Sequence, residues 1–207
     1  MSFRLAVFGG TRGVGAEAGR QALERGWRCR VLARSADVVP DLPGAEITVG
    51  NVLDAEAVAR ALYGCDAALI ALGQTRNNPP ALCSEGTRVV LEGMEQQGVP
   101  RAVAISAMGV GDSYGQVSPL FRLLIRTFMR RLMADKERQE QLLRDSGREW
   151  VIVRPGRLTN ATARGDYRAG TDQRTGAGSV SRADVAAFAL DQAVSEQFLY
   201  QAPYITG

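Results

Sequence analysis

A cluster of glycines directly after the first apolar segment constrains the fold of this chain more than any other feature. Residues 3–8, which are apolar except for Arg4, run into Gly9-Gly10-Thr11-Arg12-Gly13-Val14-Gly15, and a helical pattern begins at Gly13. We expect Gly9 to permit a tight turn, Gly13 to let the backbone approach a pyrophosphate, and Gly15 to let the helix pack closely on the strand. Helix N-termini attract phosphate. Turns without ligands also collect glycine, but the position between a first strand and a first helix favours nucleotide binding by residues 9–15.

Short apolar segments alternate with helical patterns along the rest of the chain. Apolar runs of this kind are typical of parallel strands covered on both faces, and their alternation with helices predicts right-handed crossover units. We therefore expect a single α/β domain over residues 1–207, built on a doubly wound parallel sheet with helices on both faces. Ser181 and Asp184 form a capping-box pattern that predicts the start of the last helix. The other predicted strands are 28–33, 46–49, 67–72, 102–106 and 151–154, with an edge strand within 199–206, and the predicted helices include 54–62, 84–97 and a broken segment over 119–145.

The composition excludes several kinds of chemistry. The chain has no histidine, so it contains no Ser-His-Asp triad, no Cys-His pair and no histidine metal ligand, and we expect no metal site. Cys29, Cys65 and Cys83 are far apart and form no CxxC pair, which predicts buried free thiols in a reducing compartment.

Charge and hydropathy limit the partners. The 25 basic and 22 acidic residues give a net charge of +3, which is too balanced to predict nucleic-acid binding. The chain has no apolar run of about 18 residues, so no transmembrane helix is expected, and the strand pattern begins too early for a signal peptide. We expect a cytoplasmic protein that is a monomer or a weak homo-oligomer and acts on a small molecule.

The GxxxGxG spacing resembles the short-chain dehydrogenase/reductase superfamily, in which a Thr-Gly-x-x-x-Gly-x-Gly turn opens a Rossmann-type NAD(P)-binding domain; Phe8 replaces the first Thr. Gly50-Asn51-Val52 is similar to the superfamily's Gly-Asp-Val that holds adenine, and the Asn51 amide oxygen can still accept a hydrogen bond. Ser106 stands where the superfamily's serine ends the fifth strand, and 153–156 resembles its RPG turn beside nicotinamide. The resemblance implies further cofactor contacts from Val52, Ala71, Leu72, Gly73, Ser106, Pro155 and Gly156.

The residue at the end of the second strand predicts which dinucleotide binds. An NAD site places an acid here for the ribose 2′-hydroxyl, whereas this chain has Arg34 and no acid before Asp37. A guanidinium can bind a 2′-phosphate bidentately, and Arg12 can approach it from the glycine turn. The alternative is that both arginines are solvated. We expect NADP.

The superfamily's Tyr-x-x-x-Lys pair is absent. Lys136 is the single lysine among 25 basic residues, and Leu132 stands where the tyrosine belongs. The segment around Lys136 and Glu140 is similar to atypical members, which often have Lys and Glu there and no Tyr. Lys136 is then either a cofactor or active-site group, or a solvated residue paired with Glu140.

Among atypical members, flavin reductase (biliverdin-IXβ reductase) is the most similar subfamily, through residues 73–77, 84–88 and 106–108. Relatives can carry active-site histidines where this chain has Lys136 and Arg157. The resemblance implies catalytic roles for Ser106, Lys136 and Arg157, and a substrate site from segments 74–84, 107–135 and 156–178. Arg157 binds an anionic substrate group or is a surface residue in a loop. Substrate contacts are expected from Arg76, Met108 and Arg157.

The missing proton donors favour a particular acceptor. Reduction of an ordinary ketone forms an alkoxide that needs a nearby acid, whereas a conjugated acceptor delocalises the charge and takes its proton from water. We therefore expect NADPH-dependent hydride transfer to a flavin, a biliverdin-like tetrapyrrole or a quinone, with Ser106 orienting the acceptor or the nicotinamide amide; flavin would be a substrate.

A basic, apolar helical segment over 120–133 leaves other functions open. It contains Arg122, Arg126, Arg130 and Arg131 and no acid. It is a solvated helix beside the site, an interfacial membrane helix, or a partner-binding surface. The alternative function is a dinucleotide-sensing regulator of the NmrA-like type, which binds cofactor without catalysis. A partner-binding surface would fit this alternative, and so would the missing tyrosine.

Overall fold

A mostly parallel sheet forms the centre of the molecule. The structure is a computed structural model that describes residues 2–38, 42–75, 78–172 and 178–207. Its strands are β1 Arg4–Phe8, β2 Arg28–Ala33, β3 Glu46–Val49, β4 Ala67–Ile70, β5 Arg101–Ile105, β6 Glu149–Pro155, β7 Arg157–Thr159, β8 Arg168–Gly170, β9 Ser179–Ser181 and β10 Tyr204–Thr206. Its helices are α1 Gly13–Glu24, α2 Ala55–Leu62, α3 Leu82–Gln97, α4 Pro119–Thr127, α5 Arg130–Arg144 and α6 Arg182–Val194, with short 3₁₀ turns at Ala36–Val38 and Gly111–Gln116.

The strand order places a switch point beside the glycine turn. The order is β3-β2-β1-β4-β5-β6-β10-β8, and β8 alone among these described strands runs antiparallel to its neighbour. The chain moves from β1 to one edge and returns to β4 on the other side of β1. Cofactors bind doubly wound sheets beyond the carboxyl ends of the strands at this point. Strands β7 and β9 form a separate parallel pair that follows β6.

Helices cover both faces of the sheet, as the apolar strand pattern predicts. Leu5 and Val7 pack into one core layer with α1 and α6, while Ala6 and Phe8 pack into the opposite layer with α2 and α3. Successive side chains of β1 therefore enter different cores, which explains why residues 5–8 of this strand are all apolar. The expected α/β class and doubly wound sheet are confirmed.

Most predicted elements form, with one wrong assignment at the end of the chain. Strands β2 and β3 have the predicted bounds, and Ser181 caps α6 by accepting a hydrogen bond from the Asp184 amide. Residues 199–206 do not form an edge strand: β10 lies between β6 and β8. The edge strand is β8, in a polar stretch whose pattern gave no strand signal.

Two further sequence predictions concern the burial of the cysteines and the hydropathy of the helices. All three cysteines are buried and free, as expected. None of the helices formed by the described residues combines the length and hydropathy needed to cross a bilayer.

Candidate functional site

A cleft of about 870 Å³ opens at the carboxyl ends of β1, β4 and β5. Many of the residues that were predicted from the sequence line this cleft. From the nucleotide-binding prediction these are Gly9, Thr11, Arg12, Gly13, Val14, Arg34, Asn51, Val52, Ala71, Leu72 and Gly73, and from the active-site prediction Ser106 and Lys136. The predicted substrate segments contribute Gln74, Thr75, Asn78, Pro79, Leu82, Ala107, Leu132, Leu158 and Asn160.

Two glycines of the turn are required by close backbone approach. Gly9 has a φ of +88°, and a Cβ on it would lie 2.5 Å from the carbonyl oxygen of Ala71. A Cβ on Gly15 would lie 2.3 Å from the carbonyl oxygen of Gly9. Any side chain at either position would therefore separate β1, β4 and α1. Gly15 does not line the cleft; it allows the helix to pack on the turn, as the sequence predicts.

The first turn of α1 is left open to an anion. Arg12 stands at its N-cap without a side-chain capping bond, and the first turn contains no acidic residue. In contrast, Asp54, Ser118 and Ser181 cap α2, α4 and α6 with their side chains. Uncapped amides at a helix N-terminus are a ready site for phosphate. The free amides of this turn therefore fit the phosphates of a nucleotide cofactor.

Arg12 and Arg34 are exposed at the rim of this cleft. Within the described parts of the chain, neither guanidinium forms an ion pair or a side-chain hydrogen bond. Asn51 also lines the cleft, and its Oδ1 accepts a hydrogen bond from the Leu53 amide at 3.1 Å, which fixes the side-chain orientation. Two free cations and an oriented amide thus occupy the region where the adenine end was expected.

Arg182 is a cleft residue that the sequence reasoning missed. It is the first residue of α6, and its Nη1 donates to Asn160 Oδ1 at 2.7 Å. Its Nε lies 3.7 Å from the position that a Cβ on Gly13 would occupy. A third guanidinium is therefore held beside the glycine turn. The sequence separation between Gly13 and Arg182 hides this contact from any local pattern.

Lys136 is buried at the inner end of the cleft, with 6% exposure. Its Nζ donates to the carbonyl oxygens of Leu72 at 2.9 Å and Ile105 at 2.6 Å, and to Gln139 Oε1 at 2.9 Å. Burial lowers the pKa of the Lys136 ammonium. The solvated pairing with Glu140 is wrong: the ammonium ties the ends of β4 and β5 together.

Glu140 instead holds Ser106. The Ser106 hydroxyl donates to Glu140 Oε1 at 2.6 Å, and Arg154 donates from Nε to Oε1 at 3.0 Å and from Nη2 to Oε2 at 2.6 Å. Arg144 adds a bond to Oε2 at 3.1 Å, and Asp112 accepts a second hydrogen bond from Nη2 of Arg154. A buried carboxylate between two guanidiniums thus fixes the serine whose position the sequence resemblance indicated.

Asp135 joins α5 to α3. Its carboxylate accepts bonds from the amides of Cys83 at 2.9 Å and Ser84 at 3.0 Å, and from the Ser84 hydroxyl. Gln139 adds a bond from Nε2 to Thr87 Oγ1 at 2.8 Å. α3 has no capping side chain of its own. The helix that bounds the cleft is therefore capped from α5, which sequence reasoning did not foresee.

Several predicted site residues lie elsewhere. Pro155 is buried outside the cleft lining, and a Cβ on Gly156 would lie 2.4 Å from the carbonyl oxygen of Gly178, so this glycine serves backbone packing. Met108 is buried under α4 and borders a smaller cavity of about 260 Å³. Arg157 is exposed on β7, and its neighbour Leu158 points to the cleft instead, because adjacent strand residues face opposite sides. Arg76 lies outside the described residues.

Comparisons with known proteins agree with this geometry. The family model described as NAD(P)H-binding matches residues 9–196. ChuY from Escherichia coli O157:H7, described as an anaerobillin reductase, is 27% identical, with a TM-score of 0.82 over 98% of this chain and 96% of that one. ChuY from strain CFT073 is 25% identical, with a TM-score of 0.80 over 100% and 97%.

A more distant structure shares the fold. A short-chain dehydrogenase/reductase of the wide type from Veillonella parvula, solved with NADP, is 14% identical, with a TM-score of 0.84 over 100% of this chain and 95% of that one. The family match covers most of the chain and includes the glycine turn, the inner end of the cleft and Arg182. The chain therefore belongs to the NAD(P)H-binding family and has a Rossmann-type fold.

Proposed function

We propose that this protein is an NADPH-dependent reductase that transfers hydride to a conjugated acceptor, with linear tetrapyrroles as the first class to test. The observation that carries the proposal is the bonding at the inner end of the cleft. The hydroxyl hydrogen of Ser106 is committed to Glu140, and Lys136 directs its three N–H groups at protein oxygens. Neither group offers a free proton to a substrate, which favours acceptors that need none from the protein.

The cofactor end of the cleft supports NADP over NAD. Arg34 follows β2, where an NAD site would place an acid, and Arg12 lies across the same rim. Two guanidiniums without acidic partners in the described structure suit the extra phosphate of NADP. The open amides of α1 and the guanidinium of Arg182 would bind the pyrophosphate, and Asn51 would bind adenine.

The chemistry divides between cofactor and protein. The nicotinamide, when bound, supplies the hydride. The hydroxyl hydrogen of Ser106 points to Glu140, so the oxygen lone pairs face the cleft. This oxygen would accept a hydrogen bond from the N–H of an amide or a pyrrole and so orient the reactants. Lys136 would hold the ends of β4 and β5 in place, and so position the cleft lining, rather than act as an acid. A conjugated acceptor then takes its proton from water.

The choice of acceptor class rests on two supports. The resemblance to ChuY extends over nearly the whole of both chains at 25–27% identity. The lining of the cleft beyond Ser106 offers the small and apolar groups Ala107, Pro79 and Leu132, which suit the face of a planar molecule. Flavins and quinones share that planarity and belong in the same test.

The test is anaerobic oxidation of NADPH by the full chain with a panel of acceptors. The panel contains biliverdin isomers and other linear tetrapyrroles, FMN, FAD, riboflavin and soluble quinones. We expect oxidation with at least one acceptor, a larger kcat/KM with tetrapyrroles, and a preference for NADPH over NADH. Tight NADPH binding without oxidation by any acceptor would contradict the proposal and favour a sensor. If simple ketones are reduced faster than the conjugated acceptors, the site must contain a proton donor, and the proposal is refuted.

A further inference from the structure

Helix α4 presents a second apolar face in addition to the one that it buries. Phe121 and Ile125 pack into the core cluster beneath it, which is the ordinary arrangement of a surface helix. On its outer side, Leu120 is 78% exposed, Leu123 is 57% exposed, and Phe128 directly after the helix is 86% exposed. Leu124 is also exposed. Four large apolar side chains within nine residues, on one short helix and its C-cap, form an apolar patch.

The surroundings of this patch are strongly basic. Residues 113–134 contain Arg122, Arg126, Arg130 and Arg131 and no acidic residue, although the whole chain is nearly balanced in charge. In the structure as described, Arg122 donates to the Val117 carbonyl oxygen at 3.0 Å, and none of the four forms a salt bridge. Within the described part of the chain, Glu137 lines a cavity with Arg126 and Arg130 but forms no salt bridge with either, so the patch is bordered by cations without a bonded carboxylate.

These charges discriminate between occupants of the patch. A two-fold contact with a second copy would bring two such arginine sets together with no carboxylate from the same segment, and like charges oppose that pairing. An anionic lipid surface satisfies both features, since its phosphates attract the arginines and its acyl boundary accepts the leucines and Phe128. Long arginine side chains can reach head groups while neighbouring apolar groups insert.

We propose that α4 and Phe128 are an interfacial anchor that places this protein on membranes containing anionic lipids. The helix lies in the plane of the interface, with Leu120, Leu123, Leu124 and Phe128 directed into it. The proposal does not depend on the identity of the acceptor or on catalysis.

The test is co-sedimentation of the full chain with vesicles. Vesicles of phosphatidylcholine alone are compared with vesicles that also contain phosphatidylglycerol. We expect binding to the anionic vesicles, little binding to the neutral ones, and release as NaCl rises from about 0.1 M to about 1 M. Equal binding to both vesicle types, or no binding to either, would overturn the proposal.

Variants separate the patch from general surface charge. Arg126→Gln with Arg130→Gln should lower the partition coefficient about 30-fold, since each basic residue near an anionic surface is worth about 1 kcal/mol. Leu123→Ser with Phe128→Ser should lower it on the same vesicles by at least as much. The matched control is Arg60→Gln with Tyr63→Ser, another exposed arginine and a 70% exposed ring at the end of α2, and it should bind as the parent does.

Two readouts complete the design. Near-UV circular dichroism and NADPH binding confirm that each variant is folded. Equal weakening in the control pair would refute a dedicated anchor. So would sedimentation equilibrium that shows a dimer without vesicles, if Leu123→Ser with Phe128→Ser abolishes that dimer, because the patch would then bind a second copy.

Discussion

At the scale of single residues, Arg34 is expected to determine the cofactor preference. Arg34→Ala should weaken NADPH binding about 10- to 150-fold, because a charge-assisted hydrogen bond contributes about 1.5–3 kcal/mol and only NADPH offers the 2′-phosphate. NADH binding should change little. Titration of protein fluorescence with each cofactor measures both dissociation constants. Arg28→Ala, an exposed arginine at the opposite end of β2, is the control.

The comparison between the two cofactors decides this prediction. Equal losses for NADPH and NADH would show that Arg34 contacts something other than the 2′-phosphate. A loss of similar size in Arg28→Ala would point to a change in general electrostatic attraction instead.

The bonding of Ser106 leads to a prediction about Glu140 as a positioning residue. Ser106→Ala should lower kcat modestly without abolishing it, because the serine orients and does not transfer a proton. Glu140→Gln should also lower kcat with little change in the dissociation constant of NADPH. In the Ser106→Ala background, Glu140→Gln should lower kcat no further, since its effect passes through the serine. Pre-steady-state rates of the four proteins give the coupling.

Additive effects would separate the two residues. If both substitutions together slow the reaction by the product of the single effects, Glu140 acts on folding or on Arg154 alone. Glu137→Gln, on the exposed side of the same helix, controls for loss of negative charge.

The commitment of Lys136 to three acceptors predicts a flat pH profile for hydride transfer. Burial lowers the pKa of this lysine, so a role as acid would make the rate fall as pH rises through that lowered pKa. We expect the single-turnover rate to vary little between about pH 6 and 8, apart from titration of the acceptor, and to show a primary isotope effect with 4-deuterated NADPH. If the rate instead declines with rising pH and Lys136→Met removes that decline, the lysine is the acid.

At the scale of elements, α5 organises the cleft from outside the sheet. Four of its residues, Asp135, Lys136, Gln139 and Glu140, bind α3, the ends of β4 and β5, and the side chains of Ser106 and Arg154. All four are buried polar groups with partners. Buried networks of this kind are costly to break, because the remaining partners lose their bonds inside the protein.

Asp135→Ala should therefore destabilise the fold more than an ordinary surface substitution. It removes the acceptor for two amides and one hydroxyl at the start of α3, and we expect the free energy of unfolding to fall by about 2–4 kcal/mol. Urea denaturation followed by circular dichroism measures it. Glu137→Ala on the same helix is exposed and should cost less than about 0.5 kcal/mol. Equal costs for the two substitutions would contradict the capping role.

Local sequence predicts elements well where the signal is local. Strand β2 follows from a short apolar run, and α6 begins where Ser181 provides a cap. The break between α4 and α5 falls at Phe128 and Met129, which carry no proline or glycine signal, so only the presence of a break could be anticipated. Strand β8 pairs with β10 at the edge of the sheet, and its three residues, Arg-Ala-Gly, give no strand pattern of their own; its pairing depends on tertiary structure.

The same distinction applies to the candidate site. The glycine turn and Arg34 could be selected because each is adjacent to a strand end, where the fold class predicts the cofactor. The contact of Arg182 with Asn160 and that of Glu140 with Ser106 could not, because these partners are remote in sequence. Met108, Arg157 and Gly156 were selected by resemblance, and the structure places them outside the cleft lining.

At the scale of the whole molecule, the buried thiols predict how stability depends on pH. Burial raises the pKa of Cys29 to about 12 and that of Cys65 to about 11, from an ordinary value of 9.0. Above about pH 9 the unfolded chain loses these protons while the folded chain keeps them. The folded state therefore binds more protons, and stability falls as pH rises from about 9 toward 11.

Thermal unfolding between pH 8 and pH 11 measures this decline. Each thiol contributes at most about 1.4 kcal/mol per pH unit. Cys29→Ala with Cys65→Ala should lower stability near neutral pH but make the decline shallower. A decline as steep as that of the parent would assign it to other groups. Iodoacetamide at pH 8 should label no cysteine until the protein unfolds.

The cleft draws on distant parts of the chain, and this has a consequence for biosynthesis. The glycine turn leaves the ribosome first, but Lys136 and Arg182, which complete the same cleft, follow much later. A growing chain that has exposed only its first strands cannot gain stability from cofactor binding, because ligands stabilise only the state that binds them. We therefore expect a nicotinamide cofactor to stabilise this protein only after synthesis has passed the start of α6, and not to assist the folding of the first strands.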